Sequence, residues 1–239
     1  MIDLHTHILY DSDQGPFEIE ESIKMIKRAY NAGFDGLVLA PKFVLNTKFT
    51  KTRTENKYKL KELESYLDKE DLHIKLFLAN ELFCDLKMIK EIGQDTFTSI
   101  NKSRYFLIET HHRQTALNDL KVFSVELMAQ GYIPILTHPE QYACFQENPE
   151  QLLELKEKGF LTQLNLLSFI GVNGEMAEYT AKVLLENEAI DFLATEASCA
   201  SAYDHAAESI DQIEGFVGAV ELEKMLKINP AKIILNQNI

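Results

Sequence analysis

Long hydrophobic runs are missing from this 239-residue sequence. No apolar stretch reaches the roughly 18 residues that a bilayer-spanning helix requires. The first residues, from Met1 to His5, also lack the positively charged start and the apolar stretch of a secretory signal peptide. These absences predict a protein without a membrane span that works in the cytoplasm.

Cysteine is scarce and occurs only at Cys84, Cys144 and Cys199. The odd number and wide spacing fit neither a disulfide framework nor a zinc motif, and they indicate a reducing compartment. A cysteine-dependent phosphatase also needs an arginine six residues after its nucleophile, and no cysteine of this chain has one at that distance. We therefore expect the cysteines to be ordinary small residues.

Basic residues are outnumbered, with 24 lysines and arginines against 37 aspartates and glutamates and a net charge of −13. Nucleic-acid binding depends on basic surfaces that displace the counterions of the phosphate backbone, so we expect no nucleic-acid partner. The sequence also lacks a P-loop, a dinucleotide-binding fingerprint and a Gly-x-Ser-x-Gly motif. These gaps leave metal-assisted hydrolysis as the chemistry to look for.

What the sequence does contain is an alternation of short apolar runs with helical patterns. Seven strands are predicted over residues 2–7, 36–40, 74–79, 104–109, 133–138, 161–165 and 190–195. Between the first two, Ile19, Ile23, Ile26 and Tyr30 recur at helical spacing, and further helices are predicted over 57–69, 115–130, 150–158, 176–187 and 206–226. The alternation predicts an α/β fold with a parallel sheet. Seven repeats favour a closed barrel over an open doubly wound sheet, in a single domain spanning residues 1–239.

Ionisable residues stand at the end of nearly every predicted strand, where barrels of this kind carry their active sites. They are His5, His7, Lys42, Glu81, Glu109, His138 and Glu196. His5 and His7 are two residues apart on a strand, so their side chains face the same way and can share a metal ion. The alternative is a pair of partly buried histidines bonded to carbonyl groups.

Three further strand ends favour the metal over that alternative. Glu81, Glu109 and His138 would converge at the barrel mouth, where unpaired carboxylates repel one another unless a cation is bound. Mixed histidine and carboxylate ligands suit Mn²⁺, Fe²⁺ or Zn²⁺ better than Ca²⁺. The sequence therefore predicts a divalent transition-metal site.

A set of motifs spread over almost the whole chain resembles a known family. The motifs are His5-Thr6-His7, Asp13-Gln14-Gly15, Glu81, Tyr105-Phe106-Leu107-Ile108-Glu109, His138-Pro139-Glu140-Gln141-Tyr142, Gln163-Leu164-Asn165 and Asn229-Pro230. Together they resemble the bacterial tyrosine phosphatases of the polymerase and histidinol phosphatase (PHP) superfamily found in capsule and exopolysaccharide clusters. The resemblance implies a distorted seven-stranded (β/α)7 barrel with three metal ions, commonly manganese, that hydrolyses phosphotyrosine.

The resemblance also assigns ligands. It implies a first metal held by His5, His7, Glu81 and Glu196, and a second held by Glu81, Glu109 and His138. The family has aspartate where this chain has Glu196, so the longer carboxylate must pivot or displace a water to reach the same ion. The family ligands of a third metal are replaced here by Gln14, Lys42 and Ser198, and we expect about two ions.

Lys42 suggests what replaces the third ion. Its ammonium group is a compact point charge that can neutralise neighbouring carboxylates or hold a phosphate oxygen. The alternative is a lysine that points into solvent from a loop.

A second departure concerns the phosphate. The family has arginine at the position of Gln141, and an amide cannot match the bidentate, charged contact of a guanidinium group. Arg113, with His111 and His112, follows Glu109 in a loop and is a candidate substitute. The segment 42–61 is rich in lysine and would steer anionic substrates, unless it is only a solvated loop and helix face.

The sequence thus predicts a metal-dependent phosphomonoester hydrolase in which Lys42 and Arg113 act as catalytic residues that contact the phosphate. The expected substrate is a phosphotyrosine protein, such as a tyrosine autokinase, or a small phosphate monoester. The alternative is a degenerate barrel that has lost catalysis and serves as a binding or regulatory protein in the same pathway. A homo-oligomer is left open.

Overall fold

Nine parallel strands form the framework of the computed structural model, which describes residues 1–239. The strands are β1 Ile2–Thr6, β2 Gly36–Leu39, β3 Lys42–Phe43, β4 Lys75–Leu78, β5 Glu81–Phe83, β6 Tyr105–Glu109, β7 Ile133–Thr137, β8 Leu161–Asn165 and β9 Phe192–Ala194. All seven predicted strands are present. The two additional strands, β3 and β5, are short. Two residues separate β3 from β2, and two residues separate β5 from β4.

Nine α-helices connect the strands. They are α1 Ile19–Asn31, α2 Arg53–Lys69, α3 Ala116–Ala129, α4 Ala143–Glu147, α5 Glu150–Glu157, α6 Glu175–Glu186, α7 Ala206–Val217, α8 Ala219–Glu223 and α9 Asn229–Ile234. A π-helix, Lys224–Ile228, joins α8 to α9, and short 3-10 helices lie at Leu86–Glu91, Ile100–Lys102, Pro139–Gln141, Leu166–Ile170 and Ala200–Asp204. No helix has the length and apolar character needed to cross a membrane.

Two helix boundaries differ from the prediction for local reasons. Helix α2 begins at Arg53 because the Thr52 side chain accepts a hydrogen bond from the Glu55 N–H while Glu55 reaches back to Thr52, which forms a capping box. The long helix predicted over 206–226 is divided at Gly218, whose φ of +87° lies in the left-handed region. Helix α1 occupies nearly the predicted residues.

The prediction of a closed barrel is wrong, because the strands form two sheets. One has the order β1-β2-β4 and the other β3-β5-β6-β7-β8-β9. The chain leaves the first sheet at Pro41, which has no N–H to donate, and at Asn80, whose N–H donates to Thr98 in a loop instead of to a strand. At the other side, a bridge between Thr6 and Ala197 links β1 to the segment that follows β9, with backbone hydrogen bonds from the His7 and Glu196 N–H groups. The result is a parallel α/β fold whose strands do not form one closed sheet.

The strands are buried on both faces, as parallel strands usually are. Alternate residues contribute to two hydrophobic clusters: Leu37 and Ile108 belong to the larger one beneath the helices, while Val38 and Leu107 belong to the smaller one. This double burial fixes the strands, and therefore fixes where their carboxyl ends place the side chains that follow.

The register of β1 against β2 contains a β-bulge beside His5. Asp3 pairs with Leu37 and Thr6 pairs with Leu39, so three steps along β1 oppose two along β2. Leu4 lies in the smaller cluster, while the adjacent His5 reaches the carboxylates at the strand ends.

Candidate metal centre

Glu81, the first residue of β5, lies at the centre of a group of buried histidines. Its Oε1 is 3.5 Å from Nε2 of His5 and 3.3 Å from Nε2 of His138, and its Oε2 is 3.8 Å from Nε2 of His7. The side chains of His5, His7 and Glu81 are completely buried. One carboxylate therefore faces three buried imidazoles.

The remaining predicted ligands join this group from neighbouring strand ends. Glu109 ends β6 and Glu196 follows β9, and their carboxylate oxygens lie 3.9 Å and 3.6 Å from Nε2 of His138. His138 and Glu196 have φ values of 37° and 52°, a backbone conformation that is uncommon for residues with a side chain. The structure thus brings the six predicted ligands together. Their role as metal ligands stays a prediction.

The two histidines of β1 are oriented by hydrogen bonds on the side away from Glu81. Nδ1 of His5 donates to Oε1 of Gln163 over 2.9 Å, and Nδ1 of His7 donates to Oδ2 of Asp13 over 2.6 Å. This leaves Nε2 of both rings, together with Oε2 of Glu81, buried without a hydrogen-bond partner. Buried atoms of this kind are costly unless something binds them, and metal-ligating histidines are usually held by such a second hydrogen bond. The residues therefore fit a divalent cation.

Electrostatics in the group also favour a cation. Burial alone would lower the pKa of His7, but Asp13 and Glu81 outweigh burial and raise it to about 9. In the same way, Glu196, Glu81 and Glu109 raise the pKa of His138 to about 10 against the effect of burial. The potential that holds protons on these rings attracts metal ions as well, and a divalent ion competes with the protons for the same nitrogens.

The geometry separates the ligand atoms into two groups. In each group, one ligand atom per residue lies within 4.8 Å of the others; the groups are His5, His7 and Glu81, and Glu109, His112 and His138. The first matches three of the four ligands predicted for the first metal. The second contains His112, which the sequence had suggested only as a neighbour of Arg113 in a phosphate-binding loop.

Lys42 points into the site. It pairs with Glu81 in the register of β3 and β5, and its Nζ lies 2.7 Å from Oε1 of Glu109 and 3.6 Å from Oε2 of Glu81. Burial disfavours the ammonium charge, yet Glu81 and Glu109 more than compensate, so the pKa of Lys42 lies above its usual range. The alternative of a lysine directed into solvent is wrong.

Asp13 is a residue that the sequence reasoning missed. Besides accepting from His7, its Oδ2 accepts from the Lys42 N–H over 2.7 Å, and its Oδ1 accepts from the Gly15 N–H. Gly15 is required for this turn, because a Cβ there would lie only 1.9 Å from the carbonyl oxygen of His7. The neighbouring Gln14 is exposed. The Asp-x-Gly spacing after the paired histidines was the available signal.

The other positions at which this chain departs from the family pattern are Glu196, Gln141 and Ser198. Glu196 reaches the group despite its extra methylene, and Nδ2 of Asn165 donates to its Oε2 over 2.8 Å. Gln141 and Ser198 are half-buried, and neither side chain makes a hydrogen bond.

Arg113 is not brought into the cluster. It lies on the exposed loop between β6 and α3, and its side chain makes no hydrogen bond or ion pair. Its neighbour His111 pairs with Asp119 on α3 over 2.8 Å. Part of the positive charge in the lysine-rich segment 42–61 is neutralised, since Lys51 and Lys59 both contact the carboxylate of Asp11. A phosphate-binding role for Arg113 stays a prediction.

Together, the fold and the cluster define a parallel α/β protein with a histidine and carboxylate centre suited to divalent metal ions. Comparison with known proteins gives the family. The chain belongs to the CpsB/CapC family of capsular polysaccharide synthesis, whose model matches residues 1–235. This confirms the family resemblance found in the motifs.

Relatives match along most of their length. The chain is 30% identical over 197 residues to CapC of Staphylococcus aureus, covering 82% of this chain and 76% of that protein. It is 28% identical to the tyrosine-protein phosphatase YwqE of Bacillus subtilis, covering 100% of this chain and 93% of YwqE. It is 26% identical to the tyrosine-protein phosphatase CpsB of Streptococcus pneumoniae, covering 99% of each.

Solved structures agree with these relatives. A chain from the crystal structures of YwqE and CpsB, described as metal-dependent tyrosine phosphatases, superposes with a TM-score of 0.88 at 28% identity, covering 100% of this chain and 96% of that one. Histidinol phosphate phosphatase of Lactococcus lactis shares the fold, with a TM-score of 0.57 at 16% identity, covering 88% of this chain and 92% of that one.

Proposed function

We propose that this protein is a metal-dependent phosphatase that hydrolyses phosphotyrosine on a protein of capsule synthesis. The observation that carries the proposal is the buried Glu81 carboxylate, which faces His5, His7 and His138. Nε2 of His5, Nε2 of His7 and Oε2 of Glu81 are buried there without a hydrogen-bond partner. The names of the relatives support the substrate class, since YwqE and CpsB are tyrosine-protein phosphatases described as metal-dependent.

We assign the ligands as the sequence predicted. His5, His7, Glu81 and Glu196 would hold one ion, while Glu81, Glu109 and His138 would hold another. The mixed nitrogen and oxygen donors suit Mn²⁺, with Fe²⁺ or Zn²⁺ as alternatives. A bound divalent ion supplies a Lewis acid that lowers the pKa of water and neutralises charge on the phosphoryl oxygens.

The protein's own residues orient this centre and receive the phosphate. Gln163 and Asp13 hold the rings of His5 and His7 with Nε2 directed inward. Lys42 neutralises Glu109 and Glu81 and, being 18% exposed, keeps N–H groups for an incoming phosphate oxygen. Arg113 would add a second phosphate contact if its exposed side chain turned toward the site.

A tyrosine autokinase is the substrate we expect, and a small phosphate monoester is the alternative. No observation favours the non-catalytic binding protein, because a scaffold has no need for six converging ligands. The single domain and the cytoplasmic location stay predictions from the sequence, and a homo-oligomer is left open.

Hydrolysis of a phosphotyrosine peptide by protein purified without chelators tests the proposal. We expect turnover that depends on added Mn²⁺, disappears with EDTA and is abolished in the His138→Ala variant. Turnover that survived His138→Ala would come from a contaminant. A metal-loaded parent protein that released no phosphate from phosphotyrosine peptides would refute the proposed activity.

A further inference from the structure

His112 lies directly over His138 in the loop between β6 and α3. The centroids of the two rings are 5.2 Å apart, and the rings meet edge to face at 66°. One ring nitrogen from each histidine and one oxygen of Glu109 all lie within 4.8 Å of one another. Neither ligand set predicted from the sequence includes His112.

The loop that carries His112 is fixed by the segment that follows His138. The Thr110 N–H donates to the Tyr142 hydroxyl over 3.0 Å, and the Ala143 N–H donates to the His112 carbonyl over 3.2 Å. The Tyr142 ring lies 4.7 Å from that of His112 and 5.8 Å from that of His138. The two histidines therefore share one aromatic support, so their relative placement is built into the fold.

Glu109 offers its two oxygens to different partners. Lys42 takes Oε1 at 2.7 Å, whereas Oε2 lies on the side of His138, 3.9 Å from its Nε2. A carboxylate that shares its charge with an ammonium group is a weaker metal ligand. A cation on the His138 side therefore gains from a further donor besides Glu81, and a ring nitrogen of His112 lies within reach.

We propose that His112 joins Glu81, Glu109 and His138 in a site for a divalent transition-metal ion, so that His112 is a ligand of the second metal. This inference rests on the proposed function, which it deepens. Sites with mixed histidine and carboxylate donors bind Zn²⁺ and Fe²⁺ readily, and catalytic sites of this kind leave a position open for water or substrate. Because His112 is exposed, that open position faces the solvent from which a phosphate would arrive.

Metal titration of the full chain against a fluorescent chelator tests the assignment without measuring turnover. The matched control is His111→Ala, since His111 is the adjacent histidine and its ring pairs with Asp119 outside the cluster. We expect two Zn²⁺ ions per chain in the parent and in His111→Ala. In His112→Ala, we expect one ion to stay tight and the other to weaken at least about tenfold, because even residues that only support a ligand cost that much.

A second readout reports the ligand directly. In the His112→Cys variant, Cd²⁺ should produce the ultraviolet charge-transfer absorption of a cadmium-bound thiolate, and the His111→Cys variant should lack it. Equal absorption in both variants, or its absence from both, would contradict the placement of His112 at the metal.

The outcomes separate this inference from the proposed function. Two tight ions in His112→Ala would overturn the ligand role, even if turnover fell, because His112 would then act on the substrate. A parent protein that bound no ion would overturn the metal-dependent function and this inference together. A parent that bound two ions and hydrolysed phosphotyrosine, with an unchanged His112→Ala variant, would overturn only this inference.

Discussion

The two halves of the metal centre are built differently. In the half formed by β1 and β5, the side chains of His5, His7 and Glu81 are fully buried, and each histidine is held by a second hydrogen bond. In the other half, Lys42 is 18% exposed, and its ammonium group stands where the family pattern has a ligand of the third metal. The buried half is held rigidly by hydrogen bonds, whereas the open half is where residues depart from the family pattern.

Glu81 joins the two halves, so its removal should have the largest effect. Glu81→Gln keeps the size of the side chain but removes the charge that faces all three histidines. We expect the loss of both ions and a fall in kcat on the order of 10³-fold, since metal and charge stabilisation disappear together. Metal analysis and phosphotyrosine turnover measure this.

The control for Glu81→Gln is Glu64→Gln on the exposed face of α2. This variant should keep the metal content and the phosphotyrosine turnover of the parent. If the Glu81→Gln variant kept two ions and most of its turnover, Glu81 would not be the shared ligand.

A substitution of Asp13 tests the buried half without changing any of the proposed ligands. Asp13→Asn weakens the hydrogen bond that orients His7, so we expect metal affinity to fall about 10- to 100-fold. Competition with a chelator measures it, and Gln14→Ala at the exposed neighbouring position is the control. A similar loss in both variants would mean that the loop, and not the orientation of His7, controls affinity.

The two histidines with raised pKa values make the metal-free fold sensitive to alkali. The pKa values of His7 and His138 rise from 6.5 to about 9 and about 10. The protonated rings therefore stabilise the fold fully below about pH 6.5, and this stabilisation is lost as the pH rises through the folded-state values. We expect the free energy of unfolding in EDTA to fall between pH 7 and pH 9.5.

Urea denaturation at several pH values measures this dependence, and His138→Gln should reduce it because one of the two titrating rings is gone. Asp13 does not contribute to the pH dependence between pH 7 and pH 9.5. Its pKa is lowered, so the stabilisation that its carboxylate gives is lost only in acid. A free energy of unfolding that stayed constant or rose between pH 7 and pH 9.5 would contradict the charge assignment.

Lys42 tests the open half. Lys42→Met keeps the aliphatic length but removes the charge, and we expect KM for a phosphotyrosine peptide to rise about tenfold, because a charged phosphate contact is worth roughly that much. The number of bound ions should not fall, since Glu109 loses a competitor. Lys48→Met, at an exposed position in the loop that follows β3, is the control. Unchanged KM in Lys42→Met would mean that this ammonium group serves only to neutralise the carboxylates.

The sequence predicted the strands and their ligands because both follow local rules. Apolar runs mark buried strands, and a residue just after such a run lies at the carboxyl end of a parallel sheet, which brought His138 and Glu196 into the candidate set. Closure was not predictable in this way, since it depends on how the edges of distant strands pair, and the chain leaves the first sheet at Pro41 and Asn80.

His112 was missed as a ligand for a different reason. Its position depends on contacts of the loop with Tyr142 and Ala143, which come from a distant part of the chain. Residues in loops follow tertiary contacts more than local pattern, so spacing alone could not distinguish His111, His112 and Arg113.

Arg113 gives the smallest expected effect, and it measures how far the open half extends. The side chain is exposed and has no partner, so any phosphate contact it makes is screened by water and worth at most about 1 kcal/mol. We expect Arg113→Ala to raise KM no more than about fivefold and to leave kcat and metal content unchanged. A much larger rise in KM would show that the loop closes over the substrate and that Arg113 takes the place of the arginine missing at Gln141.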